Sequence, residues 1–321
     1  MSPRGPRARG GPQRGSGRRA STPGRAQLPA RKAQPPARKA QLPARRAQPA
    51  RGARSGGRAP ALGGEQVEGR QAVRELLAAG ARRVRDVWLP EDRDESGPRD
   101  SGPLEEIAEL ALSRRVPVRR VGRSRLLAEA RTDAPQGVLA HADPLEEADL
   151  DQLCRPGAGR APFLVVVDGV TDPSNLGALL RTAECAGSTG VVLPRRRAAH
   201  VTPAVTKAAA GAIEHLPLAL VSGIPTALRE LARQGVWSAG LDAGGTESLF
   251  GLELAEEPLA LVLGAEGRGL GRLVHKSCDV VVTIPQHGKL ASLNVAAAAA
   301  VACFFVAEAR ARAAGGRPSG A

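Results

Sequence analysis

Beyond residue 160 the chain alternates short apolar runs with stretches of helical spacing. Residues 163–167, Phe-Leu-Val-Val-Val in content, form a β-branched run with no polar position, as a strand buried on both faces requires. Residues 176–186 follow with helical spacing, and Gly187 supplies a stop. The same reading predicts strands at 190–193, 216–221, 236–241, 259–264 and 280–284. It predicts helices at 203–212, 225–234, 270–277 and 294–312. Strands separated by helices imply an α/β fold, with a parallel sheet covered on both faces.

A shorter α/β unit precedes it. Residues 67–77 have helical apolar spacing, closed by Gly80. Strands are predicted at 84–89, 116–121 and 137–140, and helices at 104–115 and 124–130. The expected domains are 65–145 and 161–321, joined by a linker at 146–160 with acidic residues and a Pro/Gly stretch.

Residues 1–64 are of another kind. The Ala-Gln-Leu-Pro-Ala-Arg-Lys type of repeat recurs from Ala26, Ala33 and Ala40, and its prolines forbid a continuous helix. With no aromatic residue and few aliphatics, the segment cannot offset its ordering entropy and is expected to be disordered. It holds 14 Arg, 2 Lys and no acid, so it carries +16 of a net charge of +14 and leaves −2 on the rest. Two readings stand: a nonspecific RNA tether, or sequence drift ahead of the folded part. A transit-peptide reading is disfavoured by its prolines.

Cys154, Cys185, Cys278 and Cys303 form no CxxC pair, which fits a reducing cytoplasm rather than a disulfide framework or a zinc site. No apolar run reaches membrane-spanning length, and the Ala-rich stretch 295–307 reads as a buried helix.

Three segments concentrate functional groups at strand exits. The first is DGVTDPSNLGALLR at 168–181. Ser174 or Asn175 can cap the helix that follows, and Arg181 also reads as a solvated helix residue. Asn175 and Arg181 lie six residues apart and share no helix face, so joint action requires Asn175 in the entry loop. The second is LGAEGRGL at 263–270. It fails the dinucleotide fingerprint, since Arg272 stands where a glycine is needed, and it lacks the lysine of a phosphate loop. What is left is a loop whose backbone can approach a ligand closely, with Glu266 as either a functional or a capping carboxylate. The third is IPQHGKLASLNV at 284–295, where Ser292 and Asn294 open a helix and could be plain caps. His287 and Lys289 are loop residues, and no histidine pair marks a metal site.

These three segments, in this order and with KAAAGAIE at 207–214 between the first two, resemble the SpoU/TrmH family of RNA ribose 2′-O-methyltransferases. VEGRQAV at 67–73 and QGVLA at 136–140 resemble the ribosomal-protein-L30e-like RNA-binding module of its ribosomal-RNA branch. The resemblance implies a parallel-sheet SPOUT domain with a deep trefoil knot, S-adenosyl-L-methionine as cofactor, no metal, and a homodimer with α-helical contacts near Cys303, Phe304 and Phe305. It implies methylation of a ribose 2′-oxygen in large-subunit ribosomal RNA, at a guanosine. By the same match, Gly264, Ile284 and Leu293 would line the cofactor. Arg181, Asn175, Glu266, Ser292 and Asn294 would carry the chemistry, with Arg181 binding phosphate and stabilising the developing alkoxide. The alternatives are a transfer-RNA or resistance-type methyltransferase, or a non-catalytic assembly factor. The chain departs from the family at Gln286, where Met is common, at Ala296, where Ser is common, and at Gln71, where His is usual.

Overall fold

The computed structural model describes residues 62–91, 102–155, 157, 160–196, 200–290 and 292–315, which belong to one compact unit. The basic segment expected to be disordered lies outside the described residues as far as residue 61. Its last three residues are ordered: Leu145 N donates to Leu62 O at 2.9 Å, so the fold begins slightly earlier than the sequence predicts.

The first part runs β1 (Gln66–Glu68), α1 (Arg70–Ala79), β2 (Val84–Pro90), α2 (Gly102–Ser113), β3 (Val118–Val121), α3 (Arg123–Glu129) and β4 (Leu139–Ala142). Its four strands are ordered β1-β4-β2-β3, with β2 and β3 parallel and the other pairs antiparallel. Strand β1 corrects the expected helix at 67–77, which starts only at Arg70. Gln66 and Glu68 are buried polar residues, so the strand shows no apolar alternation to read. Glu68 is satisfied by the backbone N–H groups of Arg131 (2.6 Å) and Thr132 (3.1 Å). Helices α1 and α2 supply the apolar face with Val73, Leu76, Leu77 and Ile107.

The expected linker contains α4 (Leu150–Leu153), capped by Asp149. The second part then runs β5 (Phe163–Val167), α5 (Pro173–Cys185), β6 (Gly190–Pro194), α6 (Pro203–Ala208), β7 (Leu218–Val221), α7 (Ile224–Arg233), β8 (Trp237–Leu241), β9 (Glu247–Ser248), β10 (Leu259–Leu263), α8 (Arg272–Ser277), β11 (Val280–Thr283) and α9 (Val295–Ala313). The seven strands are ordered β7-β6-β5-β10-β8-β11-β9, and every pair is parallel. The two-residue β9 is too short to leave a periodic signal. Helix α6 is shorter than predicted: it ends at Ala208, and a 3-10 turn follows at Ala212–Glu214.

Alternate residues of the central strands serve opposite faces. Val165, Val167, Leu261 and Leu263 pack with α5, α6 and α9. Leu164, Val166, Ala260 and Val262 pack with α7 and α8. Helices α5 and α6 touch at Gly177, where a Cβ would lie 2.4 Å from the Ala208 side chain and 2.9 Å from Ala209 N. Only glycine permits that approach.

Candidate active site

Because the sheet is parallel, the exits of β5, β10, β8 and β11 fall along one edge, and these four strands are neighbours. The chain order reverses between β5 and β10: β6 and β7 lie outward of β5, while β8 and β11 lie beyond β10. Such a switch point opens a crevice at the strand ends, where open α/β sheets bind ligands. The three sequence segments leave from β5, β10 and β11, so topology alone gathers them.

A cavity of about 500 Å³ fills this crevice. Leu241, Leu263, Ile284 and Leu293 form apolar wall, and Asp242, Glu266, Thr283 and Ser292 supply polar groups. Mostly apolar lining with a few placed polar groups is the pattern of a small-molecule site. Gly264 also lines it, so all three residues expected at a cofactor are here. The 264–269 loop closes on itself: Ala265 N donates to Gly269 O (3.1 Å) and Gly269 N to Ala265 O (2.9 Å). A Cβ on Gly264 would sit 2.3 Å from Gly269 C, so this fold of the loop excludes any side chain there.

Helix α5 starts earlier than predicted. Asp172 caps it, accepting from Ser174 N at 2.7 Å, and Pro173 takes the first turn, where its missing N–H costs nothing. Neither Ser174 nor Asn175 is the cap, and Asn175 lies in the first helical turn rather than the entry loop. Its amide is thereby free for other partners. Asn175 Nδ2 donates to Glu266 Oε2 at 3.0 Å, and Asn175 Oδ1 accepts from Asn294 Nδ2 at 3.0 Å. Asn294 is also the cap of α9: its Oδ1 accepts from Ala296 N (2.8 Å) and Ala297 N (3.4 Å). Structural and functional readings of Asn294 therefore hold together. The cap uses its oxygen, which aims its amide nitrogen at Asn175, which in turn aims Asn175's nitrogen at the Glu266 carboxylate.

Arg181 is not part of this chain. It lies exposed on α5 and is absent from the cavity wall. Its guanidinium pulls against the upward shift of the Cys185 thiol, which burial and Glu184 produce. Ser292 lines the cavity. Gln286 is exposed and donates to Ile284 O at 3.0 Å, so the residue that replaces the family's Met folds back on its own loop. His287 and Lys289 are exposed. Among the described residues no group of three or more His, Cys, Asp or Glu could hold a metal.

Two carboxylates escape a sequence reading. Asp242 follows β8 and bridges two loops, accepting from Gly244 N (2.9 Å) and Leu270 N (3.0 Å). Asp168 accepts from Gly271 N at 2.8 Å. Both tether the Glu266 loop. Asp242 stands in LDAGG at 241–245, which reads as an ordinary turn; a strand exit carrying Asp next to two glycines was the available signal.

Residues 162–304 match the SpoU rRNA methylase family, and residues 66–148 match the RNA 2′-O ribose methyltransferase substrate-binding family. A 23S rRNA (guanosine-2′-O-)-methyltransferase RlmB from Pseudomonas putida is 38% identical over 244 residues, spanning 75% of this chain and 94% of that protein. The chain belongs to the SpoU rRNA methylase family. Another SpoU relative, the RlmB of Haemophilus influenzae, is 37% identical over 246 residues, 75% of this chain and 96% of that one. The SpoU methyltransferase AviRb of Streptomyces viridochromogenes, solved with AdoMet, shares the fold at a TM-score of 0.62 and 23% identity, over 77% of this chain and 90% of that one.

Proposed function

We propose that the chain is an S-adenosyl-L-methionine-dependent RNA methyltransferase that methylates a ribose 2′-oxygen of 23S-type ribosomal RNA, at a guanosine. The observation that carries the reading is the Asn294–Asn175–Glu266 relay set at the lip of the cavity. The cavity residues fit the cofactor: about 500 Å³ of largely apolar space, a loop at 264–269 folded so tightly that Gly264 admits no side chain and its backbone faces the cavity wall, and the carboxylates of Asp242 and Glu266 to meet a cation. When bound, the cofactor supplies an electrophilic methyl group on a sulfonium. The named RlmB relatives, 37–38% identical over nearly their whole length, support the substrate and the guanosine.

Gly264, Ile284 and Leu293 hold the cofactor through backbone and apolar contact. The relay fixes the Glu266 carboxylate, and Ser292, at the cavity wall, would offer a hydrogen bond to what binds there. Holding the ribose hydroxyl against a fixed neighbour makes a bimolecular step effectively unimolecular. Arg181 acts from the RNA side. Its guanidinium stays charged, binds the adjacent phosphate and stabilises the negative charge that develops on the ribose oxygen.

The division into a substrate domain at 65–145, a joining segment at 146–160 and a methyltransferase domain at 161–321 is supported by the separate sheets and the two family matches. A deep trefoil knot belongs to the same reading, with residues 263–269 and residues 284–286, 292, 293 and 295 walling one cavity. A homodimer is supported by α9, which exposes Val301 and Phe304, and by the exposed Phe250, which meets Phe305 of α9 edge to face. Free thiols at Cys154, Cys185, Cys278 and Cys303 suit a cytoplasmic location.

Incubation with methyl-labelled cofactor and unmodified ribosomal RNA tests the function. Label is expected on a guanosine ribose of the large-subunit RNA. Label confined to bases overturns the reading, and label confined to transfer RNA overturns its substrate.

A further inference from the structure

The positive charge of the folded chain is concentrated in one segment. Residues 114–131 hold seven arginines and one glutamate, net +6, while everything after residue 64 totals −2; the rest of the folded chain is therefore −8. Within residues 65–321, whose remainder is acidic, such a segment is where a polyanion meets the least repulsion.

The path of the segment is defined. It leaves the end of α2, forms the outer edge strand β3, crosses the sheet face as α3 against β2, and ends beside β1. Gln66 Nε2 donates to Glu129 O at 2.9 Å, and Arg131 N donates to Glu68 at 2.6 Å, which pins this end to β1. Strands β3 and β1 are the two edges of the sheet, roughly 14 Å apart at three strand spacings. Strand β1 packs against α6, and Lys207 of α6 donates to Ala134 O just past the segment. Arg119 and Arg120 are consecutive on β3 and point to opposite faces, so the arginines wrap the outer edge of the first sheet and run from there to its junction with the second part.

Neutral groups hold several of these guanidiniums in place. Arg114 Nη2 donates to Ala78 O (2.7 Å), Arg120 Nη1 to Pro90 O (3.3 Å), and Arg125 lies 5.3 Å from the Trp88 ring centre. A carbonyl or a ring fixes direction without cancelling charge. Arg119 is tied to a carboxylate, Asp86, at 2.9 Å. Arg115 and Arg131 are exposed. Pre-ordered cations lose less freedom on meeting a phosphate.

We propose that this arginine track is a docking surface for the sugar–phosphate backbone of the RNA substrate, leading it from the outer edge of the first sheet toward the methyltransferase part. The proposal rests on the RNA-methyltransferase reading. It assigns the track to affinity and not to methyl transfer, since residues 114–131 belong to the first sheet and its helices, while the cavity and the Asn294–Asn175–Glu266 relay belong to the second.

The test uses the full chain carrying Arg115→Gln, Arg120→Gln and Arg131→Gln together, with an Arg229→Gln/Arg233→Gln variant on α7 as control. Circular dichroism and thermal melting check folding. Filter binding and methylation of an unmodified 23S rRNA transcript are followed against KCl concentration. The triple variant should raise KM for RNA about tenfold, keep kcat at saturating RNA, and flatten the log affinity–log salt slope by about 2–3, from roughly 0.7–0.9 per lost contact. The control should match wild type. Unchanged affinity and slope in the triple variant overturn the surface, as does loss of binding to a ribosomal protein with RNA binding intact. Failure of wild type to methylate ribosomal RNA overturns the parent reading instead, and the binding measurement still decides the track.

Discussion

Arg82 and Glu214 meet at the junction of the two parts of the fold, Nη2 to Oε1 at 2.7 Å and Nε to Oε2 at 3.1 Å. Their side chains are 2% and 0% exposed. Arg82 also donates to Gly64 O (3.3 Å) and Asp143 O (3.2 Å), so one guanidinium gathers three chain segments. Burial pushes the Glu214 carboxyl up, and Arg82 opposes that. Arg82→Ala strands the carboxylate and should cost about 3–5 kcal/mol of stability. Arg82→Met with Glu214→Leu removes both charges and should cost much less. Urea unfolding followed by tryptophan fluorescence, with Trp88 and Trp237 in the two parts, measures both. Equal losses in the single and double variants would show that volume, not charge, matters at this contact.

The parallel sheet was legible because strands buried on both faces leave unbroken apolar runs, as at β5 and β10. Strand order was not. Placing β10 between β5 and β8 depends on pairings remote in sequence, yet that placement makes the crevice. Strand β1 was hidden because Gln66 and Glu68 are buried polar residues, with Glu68 held by the backbone of a distant turn. The cap of α5 was misplaced because Asp172, Ser174 and Asn175 all suit a helix start; Pro173 decides for Asp172, and that choice frees Asn175 for the relay.

Asn294 separates two roles by atom. Asn294→Ser keeps an oxygen that can cap α9 but loses the amide donor to Asn175. Stability should stay close to wild type while kcat falls. Asn294→Ala loses the cap as well and should cost about 1 kcal/mol more. Melting curves and single-turnover rates on the two variants distinguish them. If the Ser variant retains full turnover, the relay plays no part in catalysis.

Arg181 lies outside the cavity wall, so its loss should spare cofactor binding. Arg181→Ala should cut kcat and leave cofactor affinity by calorimetry near wild type, the pattern of an interaction made in the transition state. Arg181→Lys should also fail if a forked phosphate contact is needed. A variant that stops binding cofactor would assign Arg181 a structural role on α5.

Cys303 sits fully buried on α9, and burial pushes its thiol from 9.0 up to about 12. The folded pKa is raised, so its contribution to stability is complete below pH 9.0 and is lost as pH rises toward about 12. The chain has no tyrosine, which leaves buried thiols prominent in this range. Between pH 9 and roughly 10.5, Cys303 alone should account for up to about 2 kcal/mol of lost stability, at about 1.4 kcal/mol per pH unit. Cys303→Ala should be less stable at neutral pH through its small cavity, but its stability should fall less steeply on the alkaline side. Urea midpoints at a series of pH values give both slopes. Parallel slopes for the variant and wild type would place the alkaline loss elsewhere, with Cys278, whose thiol burial also pushes up to about 12, as the next residue to replace.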